Sequence, residues 1–191
     1  CSWLLDISKN VNKFKLVSAA CVLVWLGLTK NSFVIVFVGL LDTYPNASAA
    51  YSLRDLASAS VGSAVVRVRR SSDNTEQDFT ATEITDGTLA TFCSGTDGFV
   101  AIWYDQSGNS NNAGQATAIN QPKLVDSGVV ILDNGLPAIE YDNTGDDNLI
   151  LNTNISDARS VFITLNQGAA ASTLLGHPSL FNYHGISGSS I

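Results

Sequence analysis

Apolar and polar positions change rhythm along this 191-residue chain. Residues 16–41, LVSAACVLVWLGLTKNSFVIVFVGLL, are apolar almost throughout, with Lys30 the one charge. The composition then turns polar at LDTYPNASAAYSLRDLASAS, where Pro45 and Asn46 mark a turn. Ala50, Leu53, Leu56 and Ala57 fall at helical spacing, which predicts one short helix near 47–58. From residue 64 the period drops to two. In AVVRVRR, 64–70, Arg67 and Arg69 alternate with Val66 and Val68, as on a half-buried strand. GFVAIWY, 98–104, is nearly continuous in apolar residues and predicts a central strand, with Trp103 or Tyr104 anchoring its end in the core. QPKLVDSGVVILDNGLPAIEYDN carries two strands around the tight-turn pair Asn134-Gly135. Further strands are expected at 148–151, at 160–165, and in STLLGH and SLFNYHGIS. Strands at roughly ten-residue spacing, separated by turn signals, predict an all-β antiparallel sandwich.

Composition adds to this picture. Gly is frequent (15 residues) and charged residues make up 14%. The formal charge of −7 is unevenly placed. Residues 1–41 hold four Lys and one Asp, whereas residues 42–191 hold six Arg or Lys and sixteen Asp or Glu. An acidic body argues against nucleic acid as a partner and suits a neutral ligand such as carbohydrate. The chain therefore divides into an apolar leader, 1–41, and a body, 42–191.

Two readings of the leader stand open. A bilayer span needs ~20 apolar residues, and residues 16–41 suffice for a signal or anchor, although a central Lys costs ~3 kcal/mol. Lys9, Lys13 and Lys15 before the run and Asp42 after it would place the body outside the cytoplasm. Membrane contact would then run through residues 16–41 alone. On the second reading, the leader is non-native upstream sequence. The lack of any Met and the start at Cys1 fit that reading and lead to the expectation of a fragment, and the final HGISGSSI to the expectation that it is also C-terminally truncated. Cys1, Cys21 and Cys93 form no metal-binding spacing. Cys93 reads as a small buried hydrophobe, with a nucleophile as the sharper option.

The stretch with the most candidate chemistry is IWYDQSGNSNNAGQAT, 102–117. Asp105, Ser107, Asn109 and Asn111 alternate like the oxygen ligands of a calcium loop. Gly108 at the fourth position and Ala116 at the twelfth exclude an EF-hand. A looser calcium site would use Asp105, or Asp146 and Asp147; otherwise no cofactor is expected. As a structural turn, Asp105 accepts backbone N–H groups with Ser107 beside it, and Gly108 takes positive φ. As a sugar site, Asn109, Asn111 and Asn112 offer amides, and Trp103, Tyr104, Tyr183 and His184 offer faces for stacking. Glu140 and Asp142 are the candidate acid pair. At i and i+2 on a strand their Cβ atoms lie ~6–7 Å apart, against the ~5–5.5 Å between carboxyls of retaining glycosidases. The plainer reading turns both acids to water, with Ile139 and Tyr141 facing the core. Arg67, Arg69 and Arg70 read as a solvated face or as sugar-carboxylate contacts. His177 and His184 fall in apparent loops.

Four segments carry a resemblance. LLDTYPNASAAYSLRDL, AVVRVRRSSDNTEQDF, FCSGTDGFVAIWYDQSGNSNNAGQATAINQPKLV and NGLPAIEYD, in that order, resemble the N-terminal part of the α-L-arabinofuranosidase B catalytic domain, glycoside hydrolase family 54. They are similar above all to its short relatives in bacterial and phage surface proteins. The resemblance covers about residues 40–147. It implies a concanavalin A-like β-sandwich (jelly roll), here incomplete. It also implies release of terminal arabinofuranose with retention by two carboxylates. In the family both carboxylates lie later in the domain, so no position here inherits them. The family's short disulfide loop is also missing, because Gly98 stands in the partner position of Cys93. Two functions follow as expectations: an arabinofuranosidase-type hydrolase acting on polysaccharide, or a non-catalytic glycan-binding or adhesive surface module.

Overall fold

The computed structural model describes residues 21–24, 34–141, 146–156, 159–166, 176–177 and 181–182. The chain divides into two units, Cys1–Val38 and Gly39–Ile191. In the first, β1 (Cys21–Val24) pairs antiparallel with β2 (Val34–Phe37). Among the described residues no helix is long and apolar enough to cross a membrane.

The second unit is built on β5 (Gly98–Trp103), the apolar run GFVAIW. On one side it pairs with β3 (Ala64–Arg70), which in turn pairs with β4 (Glu76–Thr80). On its other side it pairs with β6 (Ala113–Gly114) near its end and with β7 (Lys123–Asp126) near its start. β8 (Val129–Val130) extends β7, and β11 (Ile150–Leu151) lies outside β6. All of these pairings are antiparallel, and the fold class is the all-β one expected. β9 (Leu132–Asp133) and β10 (Leu136–Pro137) form a separate hairpin. Its tight turn puts Asn134 at φ 49 and Gly135 at φ 80, the left-handed pair that an Asn-Gly hairpin turn needs. β12 (Gly176–His177) pairs with β13 (Phe181–Asn182).

The core gathers Val66 and Val68 of β3, Phe79 of β4, Val100 of β5, and Leu124 and Val125 of β7. Two short helices close it: α2 (Ala81–Thr85) through Ile84, and α3 (Thr88–Phe92) through Leu89. The sequence marks α2 with a capping box. The Thr80 hydroxyl accepts from Glu83 N, and the Glu83 carboxylate accepts from Thr80 N. Cys93 is fully buried, and burial pushes its thiol up to about 11 against the pull of Arg70. A Cβ on Gly98 would meet Cys93 Sγ at 2.7 Å, so the sulfur fills the place a side chain there would take.

Three expectations change. β3 does not alternate cleanly, because register shifts fall between Ala64 and Val66 and between Arg67 and Val68. Arg69 is buried, at 8% exposure, rather than part of a solvated face, because Gln121, Asn74, Ala118 and the Phe99 ring surround its guanidinium. The run 159–166 forms no strand, and Phe162 stands 95% exposed. The short helix near 47–58 is not an α-helix. One 3-10 turn, Ser58–Ser60, reaches into that range, and a one-turn helix α1 (Leu40–Thr43) precedes it. The reason lies with Gln106. In a helix Leu56 N–H would bond to the carbonyl of Ser52, four residues back. Here Leu56 N donates to Gln106 Oε1 at 2.7 Å, and Ser52 O accepts from Gln106 Nε2 at 3.0 Å. One side-chain amide thus takes both halves of a helical hydrogen bond.

Candidate functional site

The candidate site is the corner where β5 runs out of apolar residues. Trp103 packs against the Tyr51 ring at 5.5 Å between centroids. Tyr104 N still donates to Val65 O, and the chain then turns at Asp105. The Asp105 carboxylate accepts four hydrogen bonds. Oδ1 takes Ala50 N at 2.8 Å and Ser107 N at 2.9 Å; Oδ2 takes Ser107 Oγ at 2.7 Å and Asn111 N at 3.0 Å. Burial alone would raise this carboxyl. The N–H groups of Ser107, Ala50 and Asn111 and the Ser107 hydroxyl outweigh burial and hold it below the usual range. Gly108 sits at φ 90 and Ser110 at φ 58, which turns the loop back towards β6.

Asparagines complete the corner. Asn109 Nδ2 donates to Ala47 O at 2.9 Å and Ser48 O at 3.2 Å. Asn111 Nδ2 donates to Ser48 O at 2.7 Å. Asn112 Oδ1 accepts Asp105 N at 3.0 Å, and the Tyr51 hydroxyl donates to Asn111 O. Gln106 holds Ser52, Arg54 and Leu56 through its amide and Ala50 through its backbone N–H. The swing from apolar to amide-rich residues therefore answers a local need. The segment 47–60 has no ladder of its own, and side chains from 105–111 satisfy its backbone groups.

This arrangement bears on each proposed ligand role. Four donors occupy the lone-pair positions of Asp105 and leave none for a cation. Asp146 and Asp147 lie at a turn after 142–145, and Asn148 Nδ2 donates to the Asp146 carbonyl at 2.7 Å. Among the described residues no group of three or more His, Cys, Asp or Glu could hold a metal ion. Trp103 is engaged with Tyr51, and its Nε1 is buried without a hydrogen bond among the described residues. Tyr104 lies over β4, where its hydroxyl donates to Asp78 Oδ1 at 2.7 Å. Burial and then Asp78 push that phenol up to about 12. Asn109 and Asn111 line a shallow cleft of about 340 Å³ with Ser48, Asn154, Ile155 and Ser156.

The acids are placed as follows. Glu140 is exposed, and its backbone pairs with Lys123 through bonds of 2.9 and 2.8 Å. Asp142, Tyr183 and His184 lie outside the described residues, so Glu140 has no described partner acid at i+2. Ile139 packs on the core, whereas Tyr141 is exposed. Asp42 accepts from Gly39 N, Ser58 N and Ser58 Oγ, and Asp73 pairs with Arg70. Asp78 holds Arg67 through two hydrogen bonds, to Nε at 2.7 Å and Nη2 at 2.9 Å.

Three features escaped the sequence. Gln106 is one; a lone Gln after an acid carries no motif. A second is the buried relay in which Arg69 Nε donates to Gln121 Oε1 at 2.6 Å and Gln121 Nε2 donates to Gln115 O at 2.7 Å. Alternation pointed Arg69 outward, so nothing flagged it. The third is Asp55, whose carboxyl is raised by burial and whose Oδ1 has no partner among the described residues.

A family model described as alpha-L-arabinofuranosidase B, catalytic, matches residues 42–168. Among solved structures, a chain titled "GH54 a-l-arabinofuranosidase soaked with cyclic sulfate inhibitor" is 27% identical over 40% of this chain, with a TM-score of 0.33. The matched part spans 19% of that chain's length. No curated protein matches.

Proposed function

The chain belongs to the α-L-arabinofuranosidase B catalytic family, and from that premise we propose that its body engages terminal α-L-arabinofuranosyl units of a polysaccharide outside the cell. The observation that carries this reading is the match over residues 42–168, which takes in the main sheet, the amide corner and the cleft beside it. The family's domain is a β-sandwich of the concanavalin A-like kind, and the antiparallel sheet here accords with it. An acidic body favours a neutral glycan over an anionic one.

On this proposal the described residues serve recognition. Retaining hydrolysis asks for two carboxyls ~5–5.5 Å apart, one as nucleophile and one as acid. Asp42, Asp73, Asp78 and Asp105 are each held by donors that keep the charge in place. Such carboxylates are poor proton donors. The hydrolytic reading is the second one, and the catalytic-domain description of the matching family favours it. It would rest on Glu140 with Asp142.

Two measurements on the full chain test the pair of readings. Retention on branched arabinan, against an unbranched glucan control, is expected. Failure to bind any arabinofuranoside would end the proposal. Release of p-nitrophenol from its α-L-arabinofuranoside, abolished by Glu140→Gln/Asp142→Asn, would establish hydrolysis by that pair. Release unchanged in the double variant would place the chemistry elsewhere.

A further inference from the structure

The cleft beside the amide corner has a chemistry of its own. Its lining consists of Ser48, Asn109, Asn111, Asn154, Ile155 and Ser156. No titratable side chain is among them. The nearest acid in the loop, Asp105, is saturated by Ala50, Ser107 and Asn111. A bound anion would find no countercharge, and a metal ion would find no carboxylate.

The two loop asparagines are held in fixed orientation. Their Nδ2 groups point at backbone carbonyls of the 47–48 segment. Among the described residues their Oδ1 atoms accept no hydrogen bond. The Ser48 and Ser156 hydroxyls and the Asn154 amide likewise have no side-chain hydrogen bonds among the described residues, and Ile155 adds an apolar surface. Rigid amide oxygens, hydroxyls and one aliphatic face match a sugar ring, which offers O–H donors around its edge and C–H groups on its face. The volume, about 340 Å³, lies at the small end of the ~300–1,000 Å³ range of small-molecule sites and suits one sugar unit.

We propose that this cleft is a subsite for a single neutral glycosyl residue, read by the Asn109 and Asn111 amide oxygens and bounded by Asn154, Ile155 and Ser156. The proposal rests on the carbohydrate reading above and assigns that reading a place. It also gives the asparagines two tasks: each amide nitrogen fixes the loop, and each amide oxygen faces the ligand. With no aromatic platform in the lining, affinity for a lone sugar is low.

The test uses the full chain labelled with nitrogen-15, titrated with methyl α-L-arabinofuranoside and, in parallel, with galacturonic acid as its anionic counterpart. The expected result is that the neutral sugar shifts the Asn109 and Asn111 side-chain amide signals and galacturonic acid does not. Ser156→Trp, at an exposed position, fills the cleft and is expected to weaken binding at least ~10-fold. Asn154→Ala serves as a second variant, with a smaller loss, should the bulky one disturb the fold. If wild type binds arabinan but neither variant lowers affinity, the cleft assignment falls and the carbohydrate reading stands. Equal shifts with galacturonic acid would likewise overturn the neutral-sugar assignment. If wild type binds no glycan at all, both fall together.

Discussion

Two polar regions flank the same strand, and they are held in opposite ways. At the corner after β5, Asp105, Gln106, Asn109 and Asn111 bond mostly to the backbone of residues 47–56, some 50 to 63 positions away in the chain. On the sheet face, Arg67 of β3 and Tyr104 both bond to Asp78 of β4, side chain to side chain, and all three remain partly exposed. The corner uses largely neutral groups, buried or half-buried at Gln106 and Asp105 and exposed at Asn109, and most of its bonds satisfy backbone donors or acceptors that have no ladder partner. The face uses full charges in contact with solvent, where water competes for every group. Deleting a corner side chain leaves backbone donors or acceptors unmet; deleting a face side chain returns its partner to water.

The sharpest way to break this contrast is Asp105→Ala. It leaves Ala50 N, Ser107 N and Asn111 N without their acceptor and removes the carboxylate's tie to the 47–60 segment. The expected loss is on the order of 3 kcal/mol in urea unfolding. A loss below 1 kcal/mol would mean that water replaces the carboxylate at little cost. The same variant separates the pH dependence. The folded carboxyl of Asp105 titrates below its ordinary range, so its contribution is fully present above the unfolded value of ~3.9 and is lost as pH falls through the folded one. Asp42, Asp73, Asp78 and Asp97 shift in the same direction. Wild type is therefore expected to lose stability steeply below pH ~4, and Asp105→Ala to lose it less steeply.

Gln106→Ala comes next, at about 2 kcal/mol. It also probes why sequence reading succeeded along β5 and failed just upstream. β5 was legible because its apolar run leaves a strand little alternative to burial within a sheet, and β9–β10 because Asn-Gly fixes the turn chemistry. The segment 47–58 was misread because Ala50, Leu53 and Leu56 do stand at helical spacing. Of these, Leu53 alone joins the core. The deciding bonds come from Gln106, about fifty residues later, and no local pattern encodes a partner at that distance. The corner's turn was legible from Asp105 and Gly108, yet the direction in which Asn109 and Asn111 point was not. The same amides read equally well as ligands for a sugar and as clamps on a backbone. If Gln106→Ala raised helical circular dichroism while the protein stayed folded, the segment's own preference would be helical, and the amide would be what overrides it.

The smallest effect belongs to the sheet face. Arg67 and Asp78 meet at 2.7 Å with side chains 37% and 43% exposed. The Arg67 hydrogen bond holds the Asp78 carboxyl low, burial opposes it, and the Tyr104 hydroxyl adds to the lowering. That shift reads like a strong interaction, but solvent screens a pair this exposed. The two-point geometry sets an upper bound on its worth rather than a typical value. A double-mutant cycle with Arg67→Ala and Asp78→Ala is expected to give a coupling under about 1 kcal/mol that shrinks further in 1 M salt. Tyr104→Phe, which removes one hydroxyl from Asp78 while keeping the ring, is expected to cost a few tenths of a kcal/mol by the same measurement. A coupling above 2 kcal/mol, insensitive to salt, would erase the distinction between corner and face. It would make the Arg67–Asp78–Tyr104 group a desolvated network, and such a network on a sheet face of this family would itself become a candidate site.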